Sequence, residues 1–130
     1  MQNKSLTLAV LPDRFGICRL DAAAPVPEWA YQSSFFSVTR TPYELSVVCA
    51  EVCILKDVSC DKGWKCLEVQ GPLDLSATGI LSSLSLTLTH AGVSIFVVST
   101  YDTDYLLVKE ENLAKAIQAL AAEGHLVLNL

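Results

Sequence analysis

"ATGILSSLSLTLTHAG" (77–92) can be read in two ways, and the choice decides the fold. Read with a period of two, Leu84, Leu86 and Leu88 fall on one side of a strand. Read with the helical period, Ala77, Ile80, Leu81, Leu84, Leu88 and Ala91 form one apolar stripe. Gly92 can close such a helix because glycine accepts the left-handed conformation at a C-terminus. The stripe is longer than the alternation, so residues 73–92 are predicted to contain a helix. Ser82, Ser83, Ser85, Thr87 and Thr89 have weak helix preference, so packing of the stripe has to hold it.

Working outward, "WKCLEVQ" (64–70) alternates like a strand and ends at Gly71-Pro72. On the other side, "VSIFVVST" (93–100) and "YLLVK" (105–109) are strand-like runs around an acidic turn. Residues 110–123 form an amphipathic helix, with Leu113, Ala116, Ile117, Leu120 and Ala121 on its apolar face. Glu110 and Glu111 suit its positive N-terminal end, and Gly124 closes it. "HLVLNL" (125–130) is a last strand. The order strand, helix, strand, strand, helix, strand is the ferredoxin-like split βαβ, an α+β fold with a four-stranded antiparallel sheet and two helices on one face.

The first half is less regular. "LPDRFG" (11–16) is a turn that would join Leu6–Leu11 and Gly16–Leu20 as a hairpin. The prolines of "AAAPVPEWAY" (22–31) allow at most a short helical turn after Pro27. "SFFSVTRT" (34–41) and "ELSVVCAE" (44–51) flank Pro42 as two strands, and residues 52–63 read as a connector. Displacing the chain by 60 residues lays "FFSVTRTPYELSVV" (35–48) on "IFVVSTYDTDYLLV" (95–108), with Phe36/Phe96, Val38/Val98 and Val48/Val108 identical. Hairpin length, polar tip and the acid at Glu44/Asp104 agree, which suggests a duplication. The expected organisation is two βαββαβ-like units, residues 1–63 with the connector and residues 64–130. The first is incomplete because it lacks a counterpart of helix 110–123.

Composition narrows the function. The chain has 130 residues, 52% hydrophobic and 18% charged, with a net charge of −5. That composition suits a packed core rather than disorder. No basic cluster exists to meet nucleic acid or an anionic membrane. The apolar runs are too short to span a bilayer, and "MQNKSLTLAVLPDR" lacks the apolar core of a signal peptide, so the expected location is cytoplasmic. Cys18, Cys49, Cys53, Cys60 and Cys66 show no CxxC or zinc-finger spacing and read as core residues or free thiols. His90 and His125 lie near element ends without a catalytic motif, and there is no Walker loop or GxGxxG. The expectation is a protein that is not an enzyme and has no metal or cofactor.

One arrangement does suggest binding chemistry. The loop "GPLDLSATG" (71–79) leads into a helix whose first N–H groups and dipole attract a carboxylate. Asp74, Ser76 or Thr78 could equally cap that helix. The tip at 100–104 offers Asp102 and Asp104 to an ammonium, or Asx turns that hold the tip together. Together the two segments match a zwitterion.

"EWA" (28–30), "SVTRTPYELSVVC" (37–49), "LEVQGPLDLSATGILSSL" (67–84) and "AGVSIFVVSTYDTDYLLVKEENL" (91–113) resemble the small bacterial tandem ACT-domain proteins. These are similar to the ACT pairs of the CASTOR arginine sensors and, more remotely, to the regulatory domains of aspartate kinases. The resemblance covers about residues 5 to 128. It implies a regulatory fold that binds a free amino acid at an interface between domains, with tandem ACT-like units and a homodimer in place of the sensors' concatenated pairs. The site residues it implies are Asp74, Ala77, Thr78, Gly79, Ile80, Thr100, Tyr101, Thr103 and Asp104. Ala77, small and uncharged, offers no acidic contact to a guanidinium, which counts against arginine specificity. The resemblance also implies a regulated protein partner. The competing expectation is a structural or protein-interaction module that retains no ligand.

Overall fold

The computed structural model describes residues 5–73 and 78–129. Its strands are β1 (Thr7–Val10), β2 (Phe15–Leu20), β3 (Ser37–Arg40), β4 (Leu45–Ala50), β5 (Cys60–Val69), β6 (Ile95–Ser99), β7 (Asp104–Lys109) and β8 (Leu126–Leu128); its helices are α1 (Ile80–His90) and α2 (Leu113–Ala122). The chain divides into two compact units, residues 1–12 with 65–130, and residues 13–64. No helix among the described residues is long and apolar enough to cross a membrane.

The larger unit contains both helices and resolves the ambiguous segment in favour of the helix. Leu84 and Leu88, four residues apart, are fully buried, while Leu86 is 55% exposed. A strand would have put all three leucines on one face. Leu84 and Leu88 join Ala116 and Leu120 of α2 against Leu8, Leu67, Val69, Leu106 and Val108 of the strands. Both helices therefore share one face of the sheet. Ile80 and Ala91 pack at the margins of this core; Ala77 lies outside the described residues. Each helix closes on a left-handed glycine, Gly92 (φ 77°) and Gly124 (φ 92°). Val93 N–H reaches Leu88 O and His125 N–H reaches Leu120 O, which satisfies carbonyls that the helix leaves unpaired. The second helix starts later than expected, because Glu110–Asn112 form a 3-10 turn before α2.

The strand order in this unit is β8-β1-β5-β7-β6. The mixed α+β, mainly antiparallel sheet follows the ferredoxin-like order with one addition. β1 lies between β5 and β8, antiparallel to the first and parallel to the second. It therefore does not form the expected hairpin with β2. The open backbone edges of β5 and β8 offer β1 hydrogen bonds on both sides, with Leu8 buried between them. Hence residues 5–12, expected with the N-terminal unit, pack with the C-terminal half. His125 reinforces this: it is buried, and its Nδ1 accepts the Leu6 N–H at 3.1 Å.

The smaller unit has the strand order β3-β4-β2-β5, using the first half of β5, and residues 13–64 contain no α-helix. The predicted turn after Pro27 is the 3-10 segment Glu28–Gln32. Its core is Cys18, Ala30, Leu45, Val47 and Cys49. The expected connector 52–63 is only partly one, since β5 begins at Cys60. "CDKG" hid the strand because Asp, Lys and Gly signal a turn. The structure uses them for a bulge: Phe15 opposes Trp64 but Ile17 opposes Asp61, so β5 carries one extra residue. Gly63 takes φ 83° there, and its N–H donates to Glu51 Oε2 at 2.6 Å.

The suggested duplication is one residue out of register. The β3–β4 pair closes at Arg40↔Leu45 and the β6–β7 pair at Ser99↔Asp104. The four-residue tips 41–44 and 100–103 thus correspond, and Glu44 matches Thr103 rather than Asp104. They share their closing bonds. Thr41 N–H donates to Glu44 O at 2.9 Å and Thr100 N–H to Thr103 O at 2.8 Å; each threonine Oγ1 accepts the N–H three residues on at 3.2 Å. Sliding by identities missed this because a one-residue slip leaves apolar runs looking alike while it swaps the faces of every side chain.

Two comparisons test this packing. Leu88→Ala should lower unfolding free energy in urea by about 2–5 kcal/mol, and Leu86→Ala by less than about 0.5 kcal/mol. Gly63→Ala, which forces a Cβ into the left-handed region, should lose about 1 kcal/mol.

Candidate functional site

The tip of the β6–β7 hairpin is held from three sides within the larger unit. Thr100 closes the turn through its own hydroxyl and N–H. Thr103 is buried, and its Oγ1 donates to Val69 O, the last residue of β5, at 2.7 Å. Leu73 N–H donates to Asp102 O at 2.7 Å. The stretch after β5 is therefore bound to the tip before the chain proceeds to α1. Gly71 permits the approach: a Cβ there would stand 3.2 Å from Asp102 O and from Thr103 Cβ.

The result is a cleft of about 250 Å³ between the tip and the first turn of α1. Its walls are Leu73, Gly79, Ile80, Leu81 and Ser82 on one side and residues 99–104 on the other. The two segments that the sequence pairs as carboxylate and ammonium acceptors therefore meet, and they do so inside one chain. Of the nine predicted site residues, Gly79, Ile80, Thr100, Tyr101, Thr103 and Asp104 line the cleft. Thr78 is exposed and is not part of the lining. Asp74 and Ala77 lie outside the described residues.

Leu73, Leu81, Ser82 and Ser99 were not among the site residues expected from the sequence. Leu81 and Ser82 are the second and third residues of α1, where N–H groups still point out of the helix, so the helix start itself was the signal. Ser99 is the register partner of Asp104, and its Oγ donates to Asp104 Oδ1 at 2.6 Å. Only strand register could reveal it.

Gly79 is the N-cap of α1, in the left-handed conformation at φ 85° and without a side-chain cap. Its carbonyl takes the first intrahelical bond, from Ser83 N–H at 2.9 Å. The N–H groups of Ile80, Leu81 and Ser82 precede that bond and face the helix entrance. The opposite wall includes Asp102 and Asp104, with Tyr101 81% exposed. The Asx turns considered for the tip are not what holds it; the threonine hydroxyls do. Among the described residues no lysine, arginine or histidine lines the cleft. Among the described residues no group of His, Cys, Asp and Glu is placed to hold a metal ion.

Beside the tip, the Tyr105 hydroxyl donates to Glu68 Oε2 at 2.9 Å and ties β7 to β5. Burial, then the bond to and charge of Glu68, pushes the phenol from 10 up to about 12. A raised value stabilises the fold in full below pH 10, and this contribution disappears as pH climbs through 12. Stability in urea should therefore fall between pH 10 and 12, less steeply in Tyr105→Phe. Thr103→Val, which removes the hydroxyl at nearly constant volume, should destabilise by about 1 kcal/mol.

Residues 59–122 match the family model of the ACT domain, and residues 13–57 match a second model, that of an N-terminal domain. The chain is 31% identical over 101 residues to the Bos taurus cytosolic arginine sensor for mTORC1 subunit 1; this covers 68% of the chain and 30% of the sensor. The chain thus spans a minor part of that relative's length. A solved structure of an Agrobacterium tumefaciens protein is similar at TM-score 0.93 and 42% identity, covering 98% of this chain and 96% of that one. Clostridium acetobutylicum aspartate kinase is similar at TM-score 0.70 and 11% identity, covering 92% of this chain and 34% of the kinase, which shows a common fold.

Proposed function

Because this chain belongs to the ACT-domain family, we propose that it is a regulatory protein, not an enzyme, that binds a free amino acid in the cleft between α1 and the β6–β7 tip. The N–H groups of Ile80, Leu81 and Ser82 take the carboxylate, aided by the helix dipole. Asp104, oriented by Ser99, takes the ammonium, with Asp102 beside it. The apolar walls at Leu73, Ile80 and Leu81 are left to the ligand's side chain. A homodimer that brings two such clefts together, and a protein partner that reads their occupancy, complete the proposal; the setting is cytoplasmic.

One observation carries the reading: a helix start and an acidic tip, far apart in sequence, converge on one cleft with opposite electrostatic preferences. Exposed ion pairs contribute under about 1 kcal/mol, but a charge shared among several N–H groups in a partly desolvated cleft contributes more. Kinship with a protein named as an arginine sensor supports a free amino acid as the ligand class. The absence of a cation among the described lining residues supports an ammonium as the group facing the tip.

Thermal unfolding in the presence of each of the twenty amino acids tests this. At a hundred times its dissociation constant the ligand should add about 2.7 kcal/mol and raise Tm by several degrees. Asp104→Ala should abolish the rise while leaving the unliganded Tm nearly unchanged. A flat panel across all twenty would favour the alternative, an interaction module with no retained ligand.

A further inference from the structure

The smaller unit contains four of the five cysteines, and three of them meet across neighbouring strands. Cys18 is on β2, Cys49 on β4 and Cys60 at the start of β5. All are free thiols. The Cys18 thiol is within hydrogen-bonding reach of both others. Cys60 is directly opposite Cys18 in the β2–β5 register. The neighbouring pair Arg19/Ser59 carries a ladder bond, Arg19 N–H to Ser59 O at 3.0 Å. Cys18/Cys60 is therefore a non-hydrogen-bonded pair, the closer kind, with Cα atoms about 4.5 Å apart. That spacing lies inside the range a disulfide spans, about 4.4–6.8 Å.

Cys49 is placed differently. The residue opposite Cys18 on β4 is Val47, and Cys49 opposes Gly16. Cys18 and Cys49 are diagonal neighbours, about 7–8 Å apart at Cα, beyond a disulfide's reach without backbone movement. Gly16 contributes to the Cys60 position, since a Cβ on it would lie 2.6 Å from Cys60 Sγ. The glycine leaves the space that Cys60 Sγ occupies. Cys18 and Cys49 are fully buried, whereas Cys60 is partly exposed.

We propose that Cys18 and Cys60 are an oxidative modification site, a dithiol that a hydroperoxide converts to a cross-strand disulfide joining β2 to β5. The partly exposed Cys60 sulfur attacks hydrogen peroxide. An S–O bond forms, the O–O bond breaks, and one water leaves with the thiol proton. Cys18 sulfur then displaces the hydroxyl from the sulfenic acid. The S–S bond forms, the S–O bond breaks, and the hydroxyl leaves as a second water with the Cys18 proton. Two thiols are oxidised and one peroxide is reduced. Burial pushes the Cys60 thiol up to about 12, so its thiolate is scarce at neutral pH and the first step is slow there. The contact with Cys49 and, after it, burial also raise Cys18. The site responds to sustained exposure rather than to a brief pulse.

The test exposes the folded full chain to hydrogen peroxide at mildly alkaline pH, alkylates remaining thiols in denaturant, and maps peptides by mass. The expected product is an intramolecular link between the Cys18 and Cys60 peptides, lost on treatment with dithiothreitol. Cys60→Ser should remove it completely, and Cys53→Ser and Cys66→Ser should leave it in place. Mapping the unsubstituted protein identifies the pair directly, so the result does not depend on any variant folding. A dominant link through Cys49 or Cys53, a link between two chains, sulfinic acid without a link, or five thiols still open to alkylation would each overturn the proposal.

Discussion

The Thr103 hydroxyl bond to Val69 O positions everything that makes the cleft. It joins the tip of one hairpin to Val69, the last residue of β5, which on its other side is paired with Leu8 of β1. Leu73 N–H on Asp102 O extends the same contact by one more turn of chain. The segment that leaves β5 is thereby held against residues 100–103 before it reaches α1. The first turn of α1 lies across the cleft from the tip. Buried and fully used, the Thr103 side chain serves to position other groups, while the exposed Asp102 and the partly exposed Asp104 carry the charge.

The two hairpins show how one turn can be put to different uses. Thr41 and Thr100 close their tips with the same bonds at nearly the same lengths. Only the second tip faces a helix N-terminus. In the smaller unit the neighbouring carbonyls are taken by guanidinium groups instead: Arg19 donates to Tyr43 O at 2.9 Å, and Arg40 donates to Ala22 O and Ala24 O. A shared turn is therefore not a shared site. What converts a turn into one wall of a cleft is the element placed opposite, and residues 13–64 contain no α-helix to fill that role.

Cysteine behaves in this chain as a small apolar residue in the core. Cys18 and Cys49 sit among Ala30, Leu45 and Val47, and Cys66 is fully buried in β5. Burial pushes Cys66 up to about 12 and, unlike the partly exposed Cys60, Cys66 is closed to solvent. The Cys18 contact acts in the opposite sense on Cys49 and lowers it, since a sulfur that accepts a hydrogen bond holds negative charge more readily. Spacing along the chain gave no zinc signal and was silent about these contacts, which arise from strand pairing.

Local pattern was enough for the helices, most of the strands and the chemical character of the site. Leu84 and Leu88 at helical spacing, Gly92 and Gly124 as terminators, and the apolar runs around residues 100–104 encode their own geometry, because helix period and glycine's conformational freedom are properties of nearby residues. The acidic tip and the helix start were legible for the same reason. Tertiary structure alone decided that β1 joins β5 and β8, that "CDKG" is a bulged strand, that the hairpin tips correspond one residue away from the best identity match, and that Ser99 orients Asp104. Each of these depends on a partner distant in the chain or on strand register. Backbone hydrogen bonding sets both, and the backbone has the same donors and acceptors whatever the side chains are.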